Sequence, residues 1–136
     1  MAADPSLPLA GRSAAVTGGG TGLGRASAEA LVADGATVTL VGRRGDVLEA
    51  AAGEIRATAP EGAEVRWAVA DVAEEDQVEA AIAVASEGIG LDLAVLSAGT
   101  GTLGPITALA IEEWKRVVDA NLTGTFLSLK HAGQAM

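Results

Sequence analysis

The sequence predicts an α/β fold, a doubly wound parallel sheet with helices packed on both of its faces. Two observations lead to this prediction. Short apolar runs alternate with longer segments of helical spacing, as in consecutive βαβ units. The short runs are rich in Val, Leu and Ala and are apolar without interruption, which is typical of parallel strands buried on both sides.

Each predicted element follows from this alternation. Strands are expected at residues 13–17, 37–41, 64–70 and 91–96. Ala-rich segments between them predict helices at residues 22–34, 46–59 and 74–87. A fourth helix is expected from Ile111 to the C-terminus. The apolar side chains that its spacing would turn toward a core are Trp114, Val117, Val118, Leu122, Phe126 and Leu129.

Length and composition limit the function classes. The 136 residues fit one domain, which we expect at residues 9–136 after a flexible leader at residues 1–8. The net charge of −9 argues against a nucleic-acid partner. No apolar stretch approaches the roughly 20 residues of a membrane-spanning helix, so we expect no membrane partner and a cytoplasmic protein. Because the chain has no cysteine and one histidine, we expect no metal site.

A glycine-rich segment, Thr-Gly-Gly-Gly-Thr-Gly-Leu-Gly at residues 17–24, joins the first predicted strand to the first helix. Such a turn directs unpaired backbone N–H groups and the positive end of a helix dipole toward one point, which suits a pyrophosphate. Its spacing does not fit the dinucleotide pattern G-x-G-x-x-G. Taken alone, the segment is either a structural turn or part of a dinucleotide site.

The ends of all four predicted strands favour a ligand. In a doubly wound sheet, ligands bind beyond the carboxyl ends of the strands. Small or polar residues follow every strand, at residues 18–24, 42–44, 71–72 and 97–99. Together these segments predict a crevice for an extended dinucleotide.

These segments resemble the short-chain dehydrogenase/reductase family. The matching features are Thr17-Gly18-x-x-x-Gly22-x-Gly24, the basic end of the second strand, Asp71-Val72, Ser97-Ala98-Gly99 and Asn121-Leu122-Thr123-Gly124. The resemblance extends from Leu9 onward and implies a Rossmann-like fold. It also implies NAD(P)-dependent hydride transfer between a nicotinamide and a small-molecule carbonyl or alcohol.

The resemblance assigns the cofactor's pyrophosphate to the glycine-rich segment. It implies that Gly18, Gly22, Leu23 and Gly24 approach the phosphates, and that Thr21 bonds a ribose or phosphate oxygen.

The resemblance places the adenosine end of the cofactor at the next two strand ends. It implies that the Asp71 carboxylate accepts a hydrogen bond from the adenine amino group while Val72 flanks the ring; alternatively, Asp71 caps the following helix. An acid after the second strand would repel the 2′-phosphate of NADP. Gly42 stands there instead, followed by Arg43 and Arg44. NADP(H) is therefore favoured over NAD(H), with solvated surface arginines as the alternative.

The fourth strand and the last helix complete the implied site. The resemblance implies that Ser97, Ala98 and Gly99 pass close to a ribose. The family often has two asparagines where Leu96 and Ser97 stand, so we expect a weaker polar tie between this strand and its neighbours. Asn121 matches a helix asparagine that, in the family, helps to hold a water linked to the catalytic lysine. The alternative for Asn121 is a local hydrogen bond within its helix.

The residues that transfer protons in this family, a serine, a tyrosine and a lysine, are expected beyond residue 136, since the sequence contains no tyrosine. Lys115 and Lys130 fall outside the motif and are expected on exposed helix positions. We therefore expect the cofactor-binding half of an oxidoreductase, truncated after the fourth helix and inactive alone. A non-catalytic nucleotide-binding half-domain and an α/β interaction domain are the alternatives. We expect a homo-oligomer that covers the apolar side of the last helix.

Overall fold

The computed structural model describes residues 4–136, so residues 1–3 of the predicted leader lie outside the described part. The strands are β1 (Ser13–Thr17), β2 (Thr37–Gly42), β3 (Val65–Val69) and β4 (Leu93–Leu96). The helices are α1 (Gly22–Ala33), α2 (Gly45–Arg56), α3 (Glu75–Ser86), α4 (Ile111–Val118) and α5 (Gly124–Ala135). A 3-10 turn at Ile106–Ala108 precedes α4, and a π-helical segment at Asp119–Thr123 joins α4 to α5.

The four strands form one parallel sheet in the order β3-β2-β1-β4. In the register, Val16 of β1 lies between Leu40 of β2 and Val95 of β4. The chain proceeds outward from β1 to β3 and then returns past β1 to β4. This reversal confirms the predicted doubly wound parallel sheet. In such a sheet, the ligand crevice is expected beyond the carboxyl ends of β1 and β4, where the strand order reverses.

Two apolar cores pack against opposite faces of the sheet. One core joins β1 and β2 to α1 and α2, and its larger buried side chains are Val16, Val32, Val38, Leu40, Leu48 and Ile55. The other joins the sheet to α3 and α5 through Val78, Ile82, Leu91 and Leu127. Every residue of β1 is buried, whereas every residue of β4 is only half-buried. The helices therefore fix β1 at the centre of the fold, from which its carboxyl end reaches the crevice.

The predicted fourth helix from Ile111 to the C-terminus is present as a continuous helical run of α4, the π-helical segment Asp119–Thr123 and α5. The prediction that its apolar side chains face a core was wrong for most of them. Helix α5 turns Leu127, Ser128 and Ala132 inward, so side chains on its opposite face receive no cover from the described residues. The apolar side chains of this helical region that are more than half exposed are Ile111, Trp114, Leu122, Phe126 and Leu129.

Gly124 allows α5 to approach the end of β3. A Cβ atom at Gly124 would lie 2.5 Å from Cγ2 of Val72, a residue that is itself buried. Real Cβ atoms do not approach other carbons so closely. The glycine at the start of α5 therefore has a packing role, and it seats the helix directly over Val72.

Candidate functional site

The glycine-rich segment leaves little room for side chains, as Gly18, Gly19 and Gly24 show. Gly18 has a positive φ of 66°, and a Cβ atom there would lie 3.0 Å from the backbone of Ala98. A Cβ atom on Gly24 would lie 2.2 Å from the carbonyl oxygen of Gly18. The first turn of α1 therefore lies directly against the backbone that follows β1, and that backbone lies directly against the residues that follow β4.

The start of α1 leaves hydrogen-bond donors without acceptors. Thr21 occupies the N-cap position, but its side chain makes no capping bond. The first intrahelical donor is the N–H of Arg25, which bonds the Thr21 carbonyl. The N–H groups of Gly22, Leu23 and Gly24 have no acceptor among the described residues, as expected for the first turn of a helix. Because the space at Gly22 is open, this turn fits a phosphate.

Side chains, rather than close backbone contact, fix the loop after β4. Asn121 holds the backbone of Thr100 at both ends: Thr100 N–H donates to Asn121 Oδ1 at 2.8 Å, and Asn121 Nδ2 donates to the Thr100 carbonyl at 2.8 Å. The predicted alternative, a local helix bond for the Asn121 side chain, was therefore wrong. The Asn121 carbonyl accepts a hydrogen bond from Thr125 Oγ1 at 2.7 Å. Asn121 thus binds the loop with its side chain from a helix that is locally π-helical.

Arg116 makes a second contact with the same loop, which the sequence did not indicate. Its Nη1 donates to Thr100 Oγ1 at 2.7 Å, and its Nη2 donates to the Gly101 carbonyl at 3.0 Å. The guanidinium also donates to the carboxylate of Glu113. These hydrogen bonds raise the pKa of Arg116 and lower the pKa of Glu113. Together, Asn121 and Arg116 position the loop backbone and its hydroxyl.

Asp71 is held in a tight loop after β3. Its Oδ1 accepts a hydrogen bond from the N–H of Ala73 at 3.0 Å, and its own N–H donates to Gln77 Oε1 at 2.8 Å. Helix α3 begins at Glu75 with Glu74 at the N-cap, so the alternative that Asp71 caps this helix was wrong. Asp71 Oδ2 has no hydrogen-bond partner among the described residues, which leaves one carboxylate oxygen as an acceptor for a ligand.

The structure distinguishes the two arginines after β2. Both side chains are exposed, and neither makes an ion pair with another described residue. Arg43 lines a cavity of about 400 Å³ between the ends of β2 and β3 and the start of α4. Other residues lining this cavity, called the α4 cavity below, include Asp71, Thr100, Glu112, Lys115 and Arg116. Arg44 is the N-cap residue of α2 and does not line the cavity.

The turn after β4 is tied to β1 by Thr17. Ser97 N–H donates to the Thr17 carbonyl at 3.2 Å, and Ala98 N–H donates to Thr17 Oγ1 at 3.2 Å. The side chains of Leu96 and Ser97 make no hydrogen bond to a described residue, so the polar tie across this strand pair comes from the backbone and from the Thr17 hydroxyl. Gly99 follows, and a Cβ atom there would lie 3.0 Å from Asn121 Oδ1.

The described chain contains no cluster of three or more His, Asp or Glu side chains with the geometry to hold a metal ion. Within the same residues, no helix combines the length and the apolar character needed to cross a membrane.

The chain resembles known proteins in sequence and in structure. The profile of the family described as short chain dehydrogenase matches residues 12–136. Levodione reductase of Leifsonia aquatica is 41% identical over 128 residues, which are 93% of this chain and 48% of that protein. A short-chain type dehydrogenase/reductase from Mycobacterium ulcerans superposes with a TM-score of 0.90 at 39% identity, over 94% of this chain and 47% of that chain.

A third similar protein was solved with a bound cofactor. L-sorbose reductase from Gluconobacter frateurii, complexed with NADPH and L-sorbose, superposes with a TM-score of 0.86 at 30% identity, over 96% of this chain and 49% of that chain. The fold is thus Rossmann-like, as the order of its parallel strands indicates. The chain belongs to the short-chain dehydrogenase family. It spans about half the length of the relatives it matches.

Proposed function

We propose that this chain binds NADP(H) as the cofactor-binding half of an oxidoreductase that acts on a small-molecule carbonyl or alcohol. The observation that carries the proposal is the start of α1, where three N–H groups have no acceptor among the described residues and the space beside Gly22 is open. The family membership and the NADPH complex of the sorbose reductase support the same ligand class. When bound, the nicotinamide would supply or accept the hydride.

The residues of this chain would bind and orient the cofactor along the sheet edge. The N–H groups of Gly22, Leu23 and Gly24 suit the pyrophosphate, and the unused hydroxyl of Thr21 is available to a neighbouring oxygen. Gly18 admits the phosphates because its backbone carries no side chain.

The adenosine and ribose ends would lie on either side of this turn. Asp71 Oδ2 would accept a hydrogen bond from the adenine amino group, and Val72 would lie below the ring. Ser97, Ala98 and Gly99 would border a ribose.

Arg43 supports the preference for NADP(H) over NAD(H). Its guanidinium has no carboxylate partner among the described residues and lines the α4 cavity beside Asp71. A 2′-phosphate is a strong acceptor for the fork of an arginine, whereas the 2′-hydroxyl of NAD gains little from a cation. Arg44 would contribute at longer range from the start of α2.

Asn121 would act in the catalytic half of the site as a positioning residue. By holding Thr100 it fixes the loop that follows β4, beside the place where the nicotinamide end of the crevice would begin. Its carbonyl, within the π-helical segment, already accepts one hydrogen bond from Thr125. A second lone pair on this oxygen could hold the water that the family resemblance implies.

We also propose an oligomeric state and a cellular location for the protein. We propose a homo-oligomer whose contact covers the exposed apolar side chains of α4 and α5, because apolar patches of this kind are typical of interfaces. A cytoplasmic location agrees with an acidic chain that contains no cysteine.

Titration calorimetry of the chain with NADPH and NADH tests the proposal. We expect NADPH to bind more tightly than NADH, and Arg43→Gln to remove most of this difference. Arg12→Gln is the matched control, since Arg12 pairs with Asp92 next to the N-terminal start of β1, away from the crevice. Absence of binding of either cofactor to the folded wild-type chain would contradict the proposed function.

A second candidate, nucleotide binding without catalysis, is favoured by the absence of tyrosine from the sequence. Because the cofactor-binding half is expected to be inactive alone, NADPH binding without oxidation by a panel of aldehydes and ketones is expected under both candidates. Turnover separates them. Oxidation of NADPH by the purified chain of this sequence would exclude the second candidate.

A further inference from the structure

The α4 cavity contains balanced charges from four segments of the chain. Its cationic lining residues are Arg43, Lys115 and Arg116, and its acidic lining residues are Asp71, Glu112 and Asp119. The formal charges of these six side chains cancel. Removing one of these charges therefore leaves the cavity lining with a net charge of one unit, to which an anionic ligand would respond.

The three cationic side chains differ in the hydrogen bonds and ion pairs that they already make. Arg116 donates to Glu113, to Thr100 and to the carbonyl of Gly101, so it is committed to the loop after β4. Arg43 makes no ion pair with any described residue. Lys115 makes none either, although Glu112 and Asp119 lie within helical reach of it. Two cations from different segments of the cavity lining, Arg43 after β2 and Lys115 of α4, are thus available for a ligand.

We propose that Lys115 is a specificity-determining residue that, together with Arg43, binds the ribose 2′-phosphate of NADP(H). The inference rests on the proposed function. Asp71 fixes the expected place of the adenine, and Arg43 and Lys115 line the same cavity from β2 and α4. A phosphate between them would have a planar arginine fork on one side and a mobile ammonium group on the other.

Because the cavity also contains acidic residues, the positive charge of Lys115 is decisive for the binding of a phosphate. Without its charge, the cavity would carry one net negative charge, which repels a phosphate monoester and leaves a hydroxyl unaffected. Removing Lys115 should therefore weaken the binding of 2′-phosphorylated ligands alone. Removing an acid from the same wall, such as Glu112, should strengthen it.

Fragments of the cofactor test this directly, because they contain no nicotinamide and need no reaction. The probes are adenosine 2′,5′-bisphosphate and 5′-AMP, titrated calorimetrically into the wild-type chain, Lys115→Met and Glu112→Gln. Lys130→Met is the control: it removes the same charge from α5, where Lys130 pairs with Glu75 outside the cavity. Circular dichroism checks that each variant is folded.

We expect Lys115→Met to weaken the bisphosphate about tenfold, a typical effect of losing one charge-assisted contact, and to change 5′-AMP affinity less than about twofold. Glu112→Gln should tighten the bisphosphate by about threefold. Added salt should reduce the difference between wild type and Lys115→Met.

Equal effects on both probes, or an equal effect of Lys130→Met, would overturn the role of Lys115. Loss of the bisphosphate preference in Arg43→Gln but not in Lys115→Met would overturn it too while leaving the proposed function intact. If neither the bisphosphate nor NADPH binds the folded wild-type chain, both proposals fail.

Discussion

The glycine-rich turn and the loop after β4 meet at the same edge of the sheet, but they are built in opposite ways. In the turn, backbone lies against backbone: Gly24 against Gly18, and Gly18 against Ala98. In the loop, side chains reach across to hold the backbone, with Asn121 and Arg116 both bonded to Thr100. Close backbone contacts at positions without side chains fix the turn, whereas side-chain hydrogen bonds fix the loop.

This difference predicts different responses to substitution. A backbone contact without side chains has no part that can move aside, so one added carbon displaces a whole element. A side-chain contact loses one or two hydrogen bonds when it is cut, and the loop can relax. A substitution in the turn should therefore disturb the whole turn, whereas a substitution in the loop should cost only the free energy of the one or two hydrogen bonds it removes.

The largest effect is expected for Gly24→Ala. The added Cβ would lie 2.2 Å from the carbonyl oxygen of Gly18, so α1 would have to move away from β1. We expect a loss of about 3 kcal/mol in the free energy of unfolding, the upper range for overpacking. Urea denaturation followed by circular dichroism measures it.

Gly53→Ala is the matched control, because Gly53 lies inside α2 and a Cβ there would meet nothing within 4 Å. Alanine is the better helix former, so this variant should gain about 1 kcal/mol. The same sign of change in both variants would show that close packing does not determine the turn.

The second largest effect is expected for Asn121→Ala. The substitution removes both hydrogen bonds to the Thr100 backbone, at about 1 kcal/mol each, so we expect a loss of about 2 kcal/mol. Amide exchange at Thr100 should also accelerate. Thr100→Val is the control, since it removes only the hydroxyl bonded to Arg116 and keeps the backbone bonds to Asn121. Unchanged exchange at Thr100 in Asn121→Ala would contradict the arrangement.

The two regions also explain which parts of the site could be predicted from sequence. Glycines at residues 18, 22 and 24 are visible in the sequence; Gly18 and Gly22 have a positive φ, which favours glycine, and Gly24 leaves no space for a Cβ atom. The contact between Asn121 and Thr100 joins residues that are 21 positions apart. Nothing in the sequence distinguishes Arg116, which holds the loop, from an ordinary surface arginine. That contact depends on the course of α4, which spacing alone does not determine.

The fold itself was predictable where burial is complete. The first strand is confirmed at its predicted residues, since β1 is buried along its whole length. The fourth strand begins at Leu93 rather than at residue 91. Leu91 is apolar because it packs in the core with α3, without being part of a strand. At Leu91, apolar character thus predicts burial without predicting a strand, which also needs a neighbouring strand in register.

Gly124→Ala is an intermediate case between the turn and the loop, because the added Cβ atom would contact a side chain instead of backbone. The added Cβ would lie 2.5 Å from Val72 Cγ2. Overpacking of about 2 kcal/mol, partly offset by about 1 kcal/mol of helix propensity, gives a net loss of about 1 kcal/mol.

A double-mutant cycle with Val72→Ala separates these contributions. Because Val72→Ala removes the clashing methyl group, the double variant should be more stable than the sum of the single changes predicts, by about 1 kcal/mol. Strict additivity would exclude a contact between these two positions.

The smallest effect is expected from protonation of Glu113, which holds Arg116 in place for the loop. The hydrogen bonds and positive charge of Arg116 lower the pKa of Glu113 in the folded protein. The ion pair therefore stabilises the fold above the ordinary carboxyl pKa of about 4.3, and this contribution disappears as the pH falls through the lowered value. Both side chains are nearly half exposed, so solvent screening keeps the effect small. An NMR titration of the Glu113 carboxyl carbon should show its pKa rising toward the ordinary value in Arg116→Gln, and identical titration curves in the two proteins would contradict the pairing that links α4 to the loop.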